Sequence, residues 1–89
     1  MKIVLRSKPM APTEAMKAAV DAGLNKIRTS VPLTRAEVYM TTENCDHVTL
    51  IRLHGKHLDL VAKAHAGNMY QALRSAIDKI KAQIQKVKA

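Results

Sequence analysis

The sequence predicts an α+β domain in which two helices pack on one face of a four-stranded sheet, with the element order βαβββα. Three observations support this prediction. Apolar residues recur at helical spacing in two segments, short β-branched or alternating segments lie before and between them, and proline, glycine and asparagine stand at the borders. The 89 residues suffice for a single domain, residues 1–89, with one modest hydrophobic core.

The first strand and the first helix are predicted in the N-terminal third. Residues 2–6 form a short β-branched and apolar segment, which the turn signal at 7–9 ends. A helix is predicted from Glu14 to about Ser30, after the Pro12-Thr13 pair and before Pro32. Its apolar stripe, at spacings of four, four, three and four, comprises Met16, Val20, Leu24, Ile27 and Val31. The charged residues on the opposite side are Lys17, Asp21 and Arg28, with Lys26 near the edge.

Three further strands are predicted in the middle of the chain. Residues 35–41 alternate strictly between a polar face and an apolar face of Ala36, Val38 and Met40, which is typical of a half-buried strand. The polar stretch 42–46 is predicted as a turn, and 48–53 as the next strand. Residues 54–57 are predicted as a hairpin connection, after which 58–65 alternate again.

A long helix is predicted at the end of the chain. Asn68 and Gln71 form an Asn-x-x-Gln version of the capping box directly after Gly67. The apolar stripe of this helix comprises Met69, Leu73, Ala76, Ile77, Ile80, Ile84 and Val87. Both helices can then cover one face of the sheet, and the other face is left to water or to a partner.

The charge balance points to a polyanionic partner. The chain has 15 Lys and Arg against 7 Asp and Glu, a formal net charge of +8. Nucleic acid and an anionic membrane both fit this charge, but the lack of Trp and Phe on the last helix disfavours a membrane. A solvated basic surface with no partner is the alternative.

The last helix carries the densest positive charge. Arg74, Lys81 and Lys88 are spaced by seven, as are Lys79 and Lys86, and Asp78 is the only acid after Asp59. We expect these two basic rows to lie beside each other, away from the apolar stripe, and to contact RNA or DNA. A coiled coil would also explain the seven-residue spacing, but the apolar stripe is already needed to cover the sheet.

Other kinds of chemistry find little support. Cys45 is the only cysteine, so an internal disulfide and a cysteine metal cluster are both excluded, and a reducing cytoplasm is the expected location. The histidine pair His54 and His57 has the wrong spacing and context for a metal-binding helix. Neither a glycine-rich phosphate loop, an acid–base pair, a signal peptide nor a membrane-spanning stretch is evident. We therefore predict no enzyme activity, cofactor, metal, small-molecule substrate or membrane partner.

Aromatic residues are scarce, which bears on the kind of RNA recognised. Proteins that read single strands stack bases on exposed rings, and here Tyr39 and Tyr70 are the only candidates. From the pattern alone we favour packing for both, Tyr39 at the sheet edge and Tyr70 at the helix start. The expected target is folded RNA recognised by shape and charge.

Motifs along the whole chain resemble a known family. The last helix reads Asn-Met-Tyr-Gln-Ala-Leu at 68–73, Ala-Ile-Asp-Lys-Ile at 76–80 and Gln-Ile-Gln-Lys at 83–86. It resembles the signature helix of the ribosome hibernation-promoting factors and ribosome-associated inhibitors, which read Asp-Met-Tyr-x-Ala-Ile-Asp, then Asp-Lys-Leu and Gln-Leu-x-Lys. The opening, with Lys-Ile-Val-Leu-Arg at 2–6, Ser-Lys-Pro-Met at 7–10 and Thr-Glu-Ala-Met at 13–16, is similar to the family's first strand and helix entry.

Three departures separate the chain from the family pattern. Asn68 stands where the family usually has an acid, Arg74 stands where it usually has Asp, and aromatic residues are fewer. The two substitutions make the surface more basic and keep a helix cap.

The resemblance implies a fold similar to the double-stranded-RNA-binding domain with an added first strand. It also implies a domain that binds small-subunit rRNA in the channel for mRNA and tRNA, and so silences translation in stationary or starved cells. The positions carried over from the family are Lys79, Lys81, Lys86 and Tyr70, with Lys26 and Arg28 as weaker ones. Arg74 and Lys88 rest on the charge pattern alone. The short end after the helix resembles the short form of the family.

Several alternatives stay open at this level. The chain could be a generic binder of structured RNA, although no Lys-Lys-x-Ala-Lys cluster opens its last helix. A homodimeric structural or regulatory protein that uses the open sheet face is the rival of another class. Whether a second hibernation factor takes part, and whether ribosomes dimerise, is left undecided.

Overall fold

The alternating and helical segments of the sequence build one sheet with two helices in the computed structural model, which describes residues 2–8, 13–28, 33–55 and 58–88. The side chains of 26–28, 33, 58 and 87–88 lie outside this description. The elements are β1 (Lys2–Ser7), α1 (Glu14–Arg28), β2 (Leu33–Glu43), β3 (Asp46–Gly55), β4 (Leu58–Ala66) and α2 (Met69–Lys88). The predicted α+β class and the order βαβββα are confirmed.

The strands lie in the sheet in the order in which they occur in the chain, β1-β2-β3-β4. β1 runs parallel to β2, and α1 connects them, whereas β2, β3 and β4 are joined as antiparallel hairpins. Ala36 pairs with Leu53, and Ile51 pairs with Ala62, so small and large apolar side chains alternate across the face that the helices cover. β1 and β4 form the two edges of the sheet.

The hairpin between β2 and β3 is tighter than predicted. The predicted turn at 42–46 was too long, because only Asn44 and Cys45 form the turn while Glu43 pairs with Asp46. Both turn residues have positive φ, 49° for Asn44 and 71° for Cys45, as a two-residue turn of the I′ type requires. His54 and Gly55 likewise belong to β3 and not to the predicted connection, whose other half lies outside the described residues.

Side-chain caps begin both helices. The backbone N–H of Met16 donates to Thr13 Oγ1 at 3.2 Å, and the N–H of Gln71 donates to Asn68 Oδ1 at 2.9 Å. These bonds satisfy amide groups that the first turn of a helix leaves without an intrahelical partner. The helix starts predicted at Thr13 and Asn68 are therefore confirmed, while Pro12, Ser30 and Pro32 lie outside the described residues.

The core lies between the helices and one face of the sheet. The predicted stripe of α1 is buried at Met16, Val20 and Leu24, and that of α2 is buried from Leu73 to Ile84. Ile27, Val31 and Val87 fall outside the described side chains. From the strands, the apolar faces of β2, β3 and β4 contribute Ala36, Val38, Met40, Ile51, Leu53, Ala62 and Ala64. The buried core residues that the structure describes are aliphatic or methionine, and none of them is aromatic.

Candidate nucleic-acid interface

Positive charge is concentrated in the two helices. α1 and α2 together contain eight Lys or Arg residues against three Asp or Glu residues, which accounts for +5 of the formal net charge of +8. α2 alone contains five of the eight cations and a single acid. The helical layer is therefore the candidate polyanion-binding surface of the domain.

The basic residues of α2 do not lie beside each other as expected. Lys79 and Lys81 are two positions apart, which on an α-helix is a rotation of about 200°. Lys81 faces α1, where it lines the space between the helices, whereas Lys79 reaches β4. The two rows therefore flank the exposed side of α2, and the prediction that they lie beside each other was wrong.

The first row forms one wall of a groove between α1 and α2, here called the helix groove. Its apolar floor is made by Ala19, Gly23, Leu73 and Ile77, and its rim on α2 by Tyr70, Arg74, Asp78 and Lys81. The rim residues recur at spacings of four, four and three, so they form a single line along the helix. The structure thus brings together three of the predicted site residues, Tyr70, Arg74 and Lys81.

The second row lies along β4 and is here called the β4-edge row, comprising Lys79, Gln83 and Lys86. Lys79 Nζ donates to the backbone carbonyl of Lys63 at 2.9 Å, and Gln83 Nε2 donates to that of Val61 at 2.8 Å. Lys86, seven positions after Lys79, lies on the same flank and is exposed. Lys79 therefore has a structural contact in addition to the RNA-binding role predicted for it.

The sheet face away from the helices, here called the open face, is mixed in charge. Arg35 pairs with Glu37 at 2.9 Å, and Arg52 pairs with Asp59 of the edge strand β4 at 3.8 Å. Glu37 Oε2 also accepts a hydrogen bond from the hydroxyl group of Tyr39 at 3.4 Å. Two cations of the open face are paired in this way, and the larger excess of cations lies in the helical layer.

Neither tyrosine has the surroundings expected for it. Tyr70 is 49% exposed on the rim of the helix groove, so the prediction that it packs at the helix start was wrong. Tyr39 lies on β2, an inner strand, and not at the sheet edge. The side chains of Lys26, Arg28 and Lys88 lie outside the described part, and their predicted roles stay predictions.

One residue of the groove was missed by the sequence reasoning. Asp78 was noted only as an isolated acid, yet it stands on the rim between Arg74 and Lys81. The sequence does contain a signal for it. The spacing of four, four and three places one helical line through Tyr70, Arg74, Asp78 and Lys81. A pattern of cations at seven-residue spacing leaves an acid out, which is why Asp78 is not among the predicted site residues.

The described residues form no other kind of site of the types considered for the sequence. Among them, no group of three or more His, Cys, Asp or Glu side chains is placed to hold a metal ion. Neither described helix is long and apolar enough to cross a membrane. Cys45 is exposed in the β2–β3 turn.

Comparison with known proteins gives both a family and a fold. Residues 3–89 match the family model described as sigma 54 modulation protein / S30EA ribosomal protein. A ribosomal subunit interface protein from Coxiella burnetii has a similar structure, with a TM-score of 0.89 at 14% identity, and 99% of this chain and 98% of that chain are covered. The N-terminal domain of Protein Y from Thermus thermophilus gives a TM-score of 0.89 at 17% identity, with 98% and 99% covered. No match is found among the curated proteins.

Proposed function

This chain belongs to the family of sigma 54 modulation proteins and S30EA ribosomal proteins, and from that membership we propose that it binds small-subunit rRNA in the mRNA and tRNA channel and inhibits translation. The family is one of ribosome-associated, non-enzymatic hibernation factors. The structurally similar protein from Coxiella burnetii is described as a ribosomal subunit interface protein, which agrees with this proposal.

The observation that carries the proposal is the cationic rim of the helix groove. Arg74 and Lys81 line one concave surface, and among the described side chains neither makes an ion pair within 4.0 Å. Cations that are not neutralised within the protein are available to replace the counterions of a phosphate backbone. Tyr70 adds an exposed ring to the same surface.

Co-sedimentation with purified small subunits tests the proposal. The wild-type chain is expected to pellet with the subunits and to lose affinity steeply between low and physiological salt, because binding releases counterions. It is also expected to inhibit translation in a reconstituted system. A chain that fails to pellet at low salt contradicts the proposal, and a shallow salt dependence indicates a protein surface as the partner.

A charge-reversal pair identifies the surface. The double variant Arg74→Glu with Lys81→Glu is expected to abolish pelleting while its circular dichroism stays that of the wild type. The matched control is Arg6→Glu with Lys63→Glu, which changes the net charge equally on exposed positions of the sheet. Equal loss in both variants would assign binding to net charge and not to the helix groove.

The cellular setting is part of the same proposal. We expect a cytoplasmic protein that accumulates on ribosomes in starved or stationary cells, with a second hibernation factor as a further partner to be tested. Ribosome profiles from growing and starved cells, probed for this chain, measure the association directly. Size exclusion of the free protein tests the rival homodimer, which predicts a dimer mass in the absence of ribosomes.

A further inference from the structure

The helix groove has the shape of a binding site as well as the charge of one. Its volume is about 340 Å³, at the lower end of the range of roughly 300 to 1,000 Å³ that small-ligand sites occupy. A flat basic surface would be sufficient to attract a phosphate backbone. A concave groove with an apolar floor can also receive a flat, partly apolar group such as a nucleobase.

Small residues on the α1 side of the groove let the two helices pack closely. Ala19 and Gly23 are the α1 residues on the floor, and a Cβ added to Gly23 would overlap Ile77 Cδ1 on α2. The two helices therefore approach closely at Gly23, and no long side chain of α1 projects into the described floor. The larger groups stand along the α2 rim.

Asp78 is the feature that a site for phosphate alone does not explain. It is the only acid of α2, and it lies four positions after Arg74 and three before Lys81. Such neighbours can form ion pairs on a helix, but among the described residues neither pair comes within 4.0 Å. A carboxylate repels phosphate, whereas it accepts a hydrogen bond from a base amino group such as N4 of cytosine.

Tyr70 is the first residue of the rim and supplies its aromatic ring. Its side chain is 49% exposed, and among the described residues its hydroxyl makes no hydrogen bond within the protein. Exposed aromatic rings stack on unpaired bases largely without regard to sequence. The rim thus carries, in order, a ring, a cation, an acceptor and a second cation.

We propose that the helix groove takes one unpaired nucleotide of an otherwise folded RNA, with the base stacked on Tyr70, the flanking phosphates beside Arg74 and Lys81, and a base amino group donating to Asp78. This inference rests on the proposed function and refines it, because it names a local RNA feature that net charge cannot select. It predicts a preference for cytidine over uridine, since uridine presents an oxygen acceptor where cytidine has its amino donor.

Two short RNA hairpins test the inference, identical except that one has a single unpaired cytidine in its stem. Fluorescence anisotropy at fixed salt is expected to show roughly tenfold tighter binding of the bulged hairpin, the gain expected for one stacked base. A third hairpin with an unpaired uridine should bind more weakly than the cytidine form. Equal affinity of the wild-type chain for the bulged and fully paired hairpins overturns the inference.

Variants separate the groove from general RNA attraction. Tyr70→Leu is expected to remove the preference for the bulge, whereas Tyr70→Phe, which keeps the ring, retains it. Asp78→Asn should remove the discrimination between cytidine and uridine, because an amide both donates and accepts. A bulge preference that survives Tyr70→Leu places the nucleotide elsewhere and contradicts the proposed site.

The failure of this inference differs from failure of the proposed function. If the wild-type chain pellets with small subunits but does not distinguish the hairpins, the site is wrong and ribosome binding stands. If it does not pellet, the proposed function fails. Displacement of the bulged hairpin by an unstructured acidic peptide at equal concentration would show that the groove prefers protein, and would also overturn the inference.

Discussion

The ammonium group of Lys79 in α2 donates a hydrogen bond of 2.9 Å to the backbone carbonyl of Lys63 in β4. β4 is an edge strand, so its outward carbonyls have no neighbouring strand to pair with. Gln83, one turn further along α2, satisfies the carbonyl of Val61 in the same way. Exposed strand edges are sites of aggregation that proteins commonly cover, and here the β4-edge row of α2 covers this edge.

Removing these two donors is therefore expected to weaken the fold and expose the edge. The double variant Lys79→Met with Gln83→Met should lower the free energy of unfolding by about 1 to 3 kcal/mol, since each hydrogen bond contributes about 0.5 to 1.5 kcal/mol. It should also self-associate on size exclusion. Lys86→Met, on the same flank, is the control, and a double variant that matches its urea midpoint and elution volume would contradict the role in edge protection.

The position of this contact shows what sequence patterns can and cannot reveal. Alternation in 35–41 and the stripes of α1 and α2 predicted the buried faces, because burial follows the periodicity of the backbone itself. The direction in which each exposed flank of α2 points depends on where α1 and β4 lie. Lys79 and Lys81 look alike in sequence, yet one faces the strand and the other faces the helix groove.

The β2–β3 turn was misjudged for a related reason. The usual signal for a two-residue hairpin is Asn-Gly or Asp-Gly, and here the second residue is Cys45. The polar residues 42–46 are therefore predicted from the sequence as one long turn. Cross-strand pairing, a tertiary effect, extends β2 and β3 to within one residue of the tip and holds Cys45 at a φ of 71°.

Cys45→Gly is expected to stabilise the protein. A non-glycine residue at positive φ is strained, and glycine removes that strain at some cost in unfolded-state entropy, so the net gain should be roughly 0.5 to 1 kcal/mol. Asn44→Gly is the matched control with a smaller expected gain, because asparagine tolerates the left-handed region. Urea denaturation measures both, and a larger gain at Asn44 than at Cys45 would count against the assigned turn geometry.

Thr49→Val is also expected to stabilise the protein. Thr49 is 1% exposed on the helix-covered face of β3, and within the described structure its Oγ1 atom has no hydrogen-bond partner. Burying an unsatisfied hydroxyl costs about 1 to 3 kcal/mol, so a methyl group of similar size should raise the melting temperature by several degrees. The reverse change on the same face, Val38→Thr, should lower it. A lower melting temperature for Thr49→Val would mean that the hydroxyl has a bonding partner in solution.

The two flanks of α2 should contribute differently to ribosome binding. Arg74→Ala with Lys81→Ala removes two cations from the rim of the helix groove, and each phosphate that is no longer neutralised should reduce the slope of log affinity against log salt by about one unit. Lys79→Ala with Lys86→Ala removes the same charge from the β4-edge row, where Lys79 is already engaged with the carbonyl of Lys63. We therefore expect a reduction of about two units for the first pair and less than one for the second.

Ile80→Asp is the control for a purely structural effect. It buries a charge at a position that is 0% exposed, so it should unfold the chain. Both double variants should keep the circular dichroism of the wild type, so that the salt slopes measured by co-sedimentation report phosphate binding and not unfolding. A larger reduction for Lys79 and Lys86 than for Arg74 and Lys81 would place the RNA along β4 instead of in the helix groove.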